Sequence, residues 1–122
     1  MLKVLRQIVQ AVESADSLKN ALQTVVSLVR DALETDAAAI FLLDEENHFV
    51  LRAVDGLNQN VVDELRFAAQ LGLVGLIAER KEPVNVENAA LHPRFHAVGE
   101  LGEESYAAFL GVPILYRRRL LG

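Results

Sequence analysis

The residues best suited to binding a small molecule are polar side chains in loops that apolar segments flank. These residues are Asn85, Glu87, Asn88, His92, Arg94 and Tyr106. Such groups can converge on a concave pocket, where Arg94, or Arg66 earlier in the chain, can clamp a carboxylate with its guanidinium. The alternative interpretation is that they solvate a loop and cap its backbone. As a group, with Arg66, they are the candidate ligand-binding residues of this sequence.

The sequence offers much weaker support for catalysis or for a metal centre. His92 and His96 have the spacing of two metal ligands on one helix face, but the proline between them disfavours a helix there. Ser105 lacks the strand-turn-helix setting of a nucleophile elbow. Gly72-Leu73-Val74-Gly75 lacks the glycine spacing and the lysine of a P-loop, so we interpret it as a tight turn into a helix. We therefore expect no catalytic residue, metal or cofactor in this chain.

Composition excludes several classes of function. The chain has 122 residues, 52% of them apolar, which is enough for one hydrophobic core and one domain. It has no cysteine, and therefore no disulfide or thiolate chemistry. Its net charge of −5 has the wrong sign for binding the phosphate backbone of nucleic acids.

Charge patterning also argues against a membrane protein. Charged residues interrupt every apolar stretch before it reaches the roughly 20 residues that a membrane helix needs. The N-terminus has no signal-peptide pattern. We expect a cytoplasmic domain with neither a nucleic acid nor a membrane as its partner.

Apolar periodicity predicts two helices before the first strand. One covers residues 1–13, and its narrow apolar stripe can pack on its own domain or against a second copy. After a break, Asp16 is predicted to cap a second helix that ends near residue 34. The apolar stripe of this second helix consists of Leu18, Leu22, Val25, Val29 and Leu33.

The rest of the chain is predicted to be mainly strands. The continuous apolar run 37–43 is typical of a strand in the centre of a sheet, with residues 48–54 as its hairpin partner. Further predictions are a mixed helix-strand segment at 61–68, a short helix at 76–79, a strand at 84–86, a helical stretch at 99–104, a strand at 106–116 broken by Gly111 and Pro113, and an arginine hairpin turn at 117–119. This order predicts an α+β domain with helices packed against an antiparallel sheet.

Several of these segments resemble the motifs of a GAF domain. They are Gly72-Leu73-Val74-Gly75, Lys81-Glu82-Pro83-Val84-Asn85-Val86, Asn88-Ala89-Ala90, His92-Pro93-Arg94-Phe95 and Phe109-Leu110-Gly111-Val112-Pro113-Ile114. With the opening residues 2–10 and the stretch 102–106, the chain is similar to the N-terminal GAF domains of nitrogen-related enzyme I, a family of bacterial phosphoenolpyruvate-protein phosphotransferases. It departs from the family at Gln70-Leu71, where relatives commonly carry Gly-Glu.

The resemblance implies that residues 1–122 form one GAF-type regulatory domain. Its antiparallel sheet is expected to carry the N-terminal helices on one face and to be incomplete at the C-terminus. In the parent protein, later domains would take phosphate from phosphoenolpyruvate onto a histidine and pass it to a histidine-containing carrier protein. The GAF domain would sense glutamine or 2-oxoglutarate; the rival hypothesis is a homodimerisation module with no ligand. Bilin attachment and cysteine-dependent methionine sulfoxide reduction are excluded, because they require a cysteine.

The resemblance also yields an expectation for the end of the chain. A GAF sheet places its last strand beside its first, so a strand missing after Gly122 would leave residues 37–43 unpaired. Unpaired edges of this kind favour aggregation and strand exchange. We therefore expect the 122-residue chain to be poorly stable unless another chain fills the gap.

Overall fold

A computed structural model describes residues 17–95 and 108–122, together with Lys3, Arg6, Gln7 and Gln10, which are helical. The remainder of the helix predicted over residues 1–13 lies outside the described residues. So do the helical stretch predicted at 99–104 and the first two residues of the strand predicted at 106–116. The described residues are continuous from Ser17 to Phe95.

The first complete helix, α1 (Leu18–Leu33), begins at a serine cap. The Ser17 hydroxyl oxygen accepts a hydrogen bond of 3.1 Å from the Asn20 N–H, one of the donors that the first turn leaves without a backbone partner. The prediction that Asp16 caps this helix is therefore wrong by one residue. The reason is that Ser17 is still extended, with φ −155°, so the helix begins directly after it. The buried residues of α1 are Ala21 and Val26.

Three antiparallel strands follow α1, in the spatial order β1-β2-β3. They are β1 (Ala38–Leu43), β2 (His48–Asp55) and β3 (Arg66–Ala68). The hairpin of β1 and β2 was predicted, but β2 and not the run 37–43 occupies the centre of this sheet. An apolar run indicates burial and does not reveal which strand has neighbours on both edges. The helix α1 packs mainly on β2, while β1 pairs with one edge of β2 and β3 pairs with the other. For this reason β2 is more deeply buried than β1.

In its described residues, the second half of the fold contains one α-helix and two further pairs of strands. Its elements are α2 (Gly72–Arg80), β4 (Val84–Val86), β5 (Phe109–Gly111), β6 (Leu115–Tyr116) and β7 (Arg119–Leu120). The pairs are antiparallel, β4 with β5 and β6 with β7. The segment 61–68 is mixed as predicted, ending a 3₁₀ turn (Gln59–Val61) and entering β3. No helix in the described part of the chain is long and apolar enough to cross a membrane.

The arginine segment forms the predicted hairpin turn, between β6 and β7. Arg117 and Arg118 have φ values of 50° and 68°. Two-residue hairpin turns of type I′ need positive φ at both central positions, where asparagine and glycine are usual. Two arginines therefore hold a backbone conformation that side chains other than asparagine and aspartate rarely adopt.

Leu121 connects the two halves of the fold. Its carbonyl oxygen accepts a hydrogen bond of 2.9 Å from the Leu43 N–H at the end of β1. Its own N–H donates to the Ile114 carbonyl oxygen at 2.8 Å, just before β6. The end of β7 therefore lies beside the end of the first strand, whereas the resemblance led us to expect the neighbour of that strand to lie after Gly122.

Two apolar clusters lie in the core of the described part of the chain. The first consists of the buried Leu51, Val54 and Leu65, with Phe41, Leu57, Val61 and Val62 packed against them. The second consists of Leu73, Leu76, Ile77, Val84 and Ala89, with Val86, Phe95 and Phe109 packed against them. The second cluster fixes α2 against β4 and β5, and so sets the position of every side chain on the exposed side of α2.

Gly75 allows α2 to lie directly on the turn that precedes it. The turn is closed by a hydrogen bond of 3.0 Å from the Leu71 N–H to the Ala68 carbonyl oxygen. A Cβ atom at Gly75 would collide with the carbonyl group of Gln70. This turn contains the departure from the family pattern, Gln70-Leu71, and the helix still approaches it closely.

We expect Gly75→Ala to destabilise the fold. In an unobstructed helix interior, alanine is better than glycine by about 0.5–1 kcal/mol. At this position, the clash with backbone should outweigh that gain and lower the free energy of unfolding by roughly 1–3 kcal/mol, as for other overpacked sites. Urea denaturation followed by circular dichroism measures the change. A variant as stable as the parent would show that α2 and the turn separate freely.

Candidate functional site

Two concavities meet where the β1–β2 hairpin faces β7. The larger has a volume of about 510 Å³ and the smaller about 350 Å³. Leu43, Asn47 and Leu120 line both. The smaller one also reaches α2 and Arg94, and we call it the Arg94 concavity. Its volume falls within the range of about 300–1,000 Å³ typical of small-molecule pockets.

The wall of the Arg94 concavity combines a helix face with two turns. The full set of lining residues is Leu43, Asn47, Ala69, Gln70, Gly75, Ala78, Glu79, Arg94 and Leu120. On the side of α2, the wall is formed by Gly75, Ala78 and Glu79. The wall therefore combines apolar and polar groups.

Local backbone geometry places Arg94 at this wall. His92 precedes a proline and is extended as predicted, with φ −76° and ψ 136°. The Arg94 N–H donates to Nδ1 of His92 at 3.0 Å, and the Phe95 N–H donates to the His92 carbonyl oxygen at 3.0 Å. The chain therefore turns tightly after the proline and directs Arg94 back towards α2.

The Arg94 guanidinium has two acceptors, which differ in rigidity. Its Nη1 donates to Oε2 of Glu79 at 2.9 Å, and its Nη2 donates to the Gln70 carbonyl oxygen at 3.0 Å. The Gln70 carbonyl is fixed by the turn on which α2 rests. The carboxylate of Glu79 is at the end of a long side chain that is 66% exposed. Among the described residues, Arg94 thus has one backbone acceptor and one exposed side-chain acceptor.

Arg66 belongs to a different cluster, at the β1–β2 turn. Its Nε lies 2.8 Å from Oδ2 of Asp44 and its Nη2 lies 2.9 Å from Oε2 of Glu46. Nη2 is also 3.4 Å from Nδ1 of His48. These contacts raise the pKa of Arg66, chiefly through the hydrogen bond to Glu46. Two carboxylates already occupy this guanidinium, which does not line the Arg94 concavity.

Asp44 is the acceptor that organises this turn. Its Oδ1 accepts hydrogen bonds of 2.9 Å from the backbone N–H groups of both Glu46 and His48. The bond from His48, then that from Glu46 and the charge of Arg66, hold the pKa of Asp44 below its ordinary value of 3.8. The cluster therefore pins the end of the hairpin next to the Arg94 concavity.

The other candidate residues are dispersed. Asn85 is exposed on β4, and Glu87 and Asn88 are exposed in the loop that follows. His92 supports the Arg94 backbone without lining the concavity. Tyr106 lies outside the described residues. Of the candidate set with described side chains, the structure brings only Arg94 to this site.

Sequence reasoning missed three polar residues of the wall, namely Asn47, Gln70 and Glu79. Asn47 has φ 62°. Its place at the end of a polar turn is a weak signal for this conformation, which asparagine tolerates. Gln70 contributes a backbone carbonyl, which has no signature in the sequence. Glu79 resembles any solvated helix residue until Arg94 is placed beside it. Within residues 17–95 and 108–122, no three histidine, aspartate or glutamate side chains gather as metal ligands.

The sequence and the fold match a known family of domains. The GAF domain model matches residues 17–122. The chain belongs to the GAF domain family.

Within that family, the chain is similar to the GAF domains of phosphoenolpyruvate-protein phosphotransferases. The GAF domain of such an enzyme from Coxiella burnetii is 45% identical, with a TM-score of 0.91 over 98% of this chain and 72% of that one. The GAF domain from Acinetobacter phosphoenolpyruvate-protein phosphotransferase is 42% identical, with a TM-score of 0.87 over 99% of this chain and 72% of that one. These two similarities agree with the α+β fold and the helix placement predicted from the sequence.

A curated relative is much longer than the part that is shared. The phosphoenolpyruvate-dependent phosphotransferase system protein of Escherichia coli (strain K12) is 38% identical over 121 residues. This match covers 98% of the present chain and 16% of that protein. The chain thus spans about a sixth of the curated relative.

We expect Asp44→Asn to reduce stability in a pH-dependent way. The stabilising effect of a carboxylate with a lowered pKa is present above its ordinary pKa and is lost as the pH falls through the folded value. The variant should therefore melt below the parent at pH 7, and the two should converge once the pH falls well below 3.8, the ordinary pKa of this carboxyl.

Thermal melts by circular dichroism at pH 7 and at several acidic values measure this difference. Glu45→Gln, at an exposed position of the same turn, is the matched control and should follow the parent. A difference between Asp44→Asn and the parent that stays constant with pH would rule out the ionised carboxylate as its cause.

Proposed function

We propose that this chain is a regulatory domain that binds a small nitrogen metabolite, glutamine or 2-oxoglutarate, in the Arg94 concavity. The observation that carries the proposal is the guanidinium of Arg94, positioned at the wall of a concavity of about 350 Å³. Both metabolites carry a carboxylate, and the planar guanidinium fork is the protein group that matches a carboxylate best. The partly apolar wall suits their short aliphatic chains.

The proposal extends to the protein that such a domain serves. Residues 1–122 would form one regulatory GAF-type domain of a cytoplasmic, bacterial phosphoenolpyruvate-protein phosphotransferase of the nitrogen-related type. Other domains of that protein would carry the phosphohistidine chemistry and deliver phosphate to a histidine-containing carrier protein. This chain would contribute regulation and no catalytic residue. A ligand acts in such an arrangement by favouring one conformational state of the whole protein.

Titration of the purified chain with glutamine and with 2-oxoglutarate tests the proposal. We expect binding of at least one of them by isothermal titration calorimetry. Arg94→Gln should weaken it about tenfold or more, since a hydrogen bond to a charged group is worth roughly 1.5–3 kcal/mol. Arg80→Gln, which removes the same charge from an exposed position on α2, should bind like the parent. Heats equal to buffer dilution for both ligands would overturn the proposal.

A second candidate function, homodimerisation, is favoured by the two ends of α1. Leu18 is 68% exposed and Leu33 is 50% exposed, although both belong to the apolar stripe of the helix. Large apolar side chains at both ends of one stripe suit a helix-to-helix contact with a second copy. This surface does not include the Arg94 concavity, so both functions can coexist.

Sedimentation velocity over a range of concentrations tests the second function. We expect the parent chain to self-associate and the double variant Leu18→Gln/Leu33→Gln to shift towards monomer. Leu91→Gln is the control, because Leu91 is 80% exposed but belongs to a different surface. A parent chain that is monomeric at every concentration would eliminate dimerisation as a function of this surface.

A further inference from the structure

The pairing of Arg94 with Glu79 leaves part of the guanidinium unused. A guanidinium has five N–H donors. Among the described residues, one donor goes to Oε2 of Glu79 and one to the Gln70 carbonyl oxygen. The carboxylate of Glu79 is therefore held through one of its oxygens, although a guanidinium can hold both oxygens of a carboxylate with two parallel hydrogen bonds. A ligand carboxylate has room to form a better pair than Glu79 does.

The two acceptors of Arg94 differ in how easily they can leave. The Gln70 carbonyl cannot move away without disturbing the turn under α2, where Gly75 lies in close contact with it. Glu79 can move by side-chain rotation alone, and its side chain is 66% exposed. Exposed ion pairs of this kind contribute little to stability. Displacing Glu79 therefore costs little and leaves Arg94 fixed in position by Gln70.

We propose that Glu79 is a built-in competitor, whose carboxylate occupies the place on Arg94 that the carboxylate of a ligand takes. The inference rests on the proposed function, since it concerns the same site. By competing, Glu79 weakens binding of every carboxylate ligand. Glu79 and Arg94 both line the concavity, so the released glutamate stays beside the bound molecule.

The charge of Glu79 also makes the site selective. A dicarboxylate such as 2-oxoglutarate brings a second negative charge close to the displaced glutamate, which repels it. An α-amino acid such as glutamine brings one carboxylate and one ammonium group, and the displaced glutamate attracts the ammonium. Glu79 thus favours the amino acid over the dicarboxylate.

Removing the charge of Glu79 while keeping its shape tests the inference. In calorimetric titrations of the chain, Glu79→Gln should bind 2-oxoglutarate about three- to fivefold more tightly than the parent does, from the size of exposed ion-pair energies. The gain for glutamine should be smaller, so that the ratio of the two dissociation constants moves towards the dicarboxylate. Glu82→Gln is the matched control: it makes the same change in net charge at an exposed position after α2 and should leave the ratio unchanged.

The possible outcomes separate this inference from the function on which it rests. If the parent binds either metabolite and Glu79→Gln binds with equal or lower affinity, Glu79 is not a competitor, while the sensing function stands. If Glu82→Gln reproduces the gain, the effect comes from net charge alone and the inference is overturned. If neither the parent nor any variant binds, both proposals are wrong. Circular dichroism melts of each variant establish that the folded state is the one titrated.

Discussion

The close contact between α2 and the carbonyl group of Gln70 is the constraint on which the candidate site depends. Gly75 permits the contact, because a Cβ atom there would collide with this carbonyl. The same carbonyl accepts a hydrogen bond from the Arg94 guanidinium. One backbone group therefore fixes both the helix that forms one wall and the cation that faces the opening. The second apolar cluster maintains the contact, since it holds α2 on β4 and β5.

Arg66 and Arg94, the two arginines among the candidate residues, have the same side chain but different surroundings. Arg66 is bound by two carboxylates, at 2.8 Å and 2.9 Å, in a turn that Asp44 already organises through backbone hydrogen bonds. Its charge is used to fix the hairpin. Among the described residues, Arg94 has one backbone carbonyl and one exposed carboxylate as acceptors. The two arginines therefore differ in how completely the described residues satisfy their charge, and this difference is what makes Arg94 the candidate for binding.

The sequence predicted most of the elements and one residue of the site, and the misses have physical causes. Periodicity located α1, the β1–β2 hairpin and the arginine turn, because each depends on local pattern. The prediction that the run 37–43 lies in the centre of the sheet was wrong, because β2 lies there. An apolar composition indicates that a strand is buried but does not reveal how many strands pair with it. The clustering of polar residues in loops flanked by apolar segments also made Arg94 a candidate. The sequence pattern did not reveal Glu79 and Gln70, because their roles arise only when the turn after Pro93 brings the chain back to α2.

A regulatory domain must convert the occupancy of its pocket into a conformational change elsewhere. The contact between Leu43 and Leu121, which we call the seam between the two halves of the fold, lies where it could do so. Leu43 and Leu120 line the concavity. Leu43 also donates the hydrogen bond to Leu121 that joins β1 to the end of β7. A ligand shifts a conformational equilibrium only by as much as it binds the two states differently. In the proposed function, exchange of one exposed carboxylate for another at Arg94 would supply little difference, so the larger part would come from contacts at this seam, where Leu43 belongs both to the wall of the concavity and to the joint of the sheet.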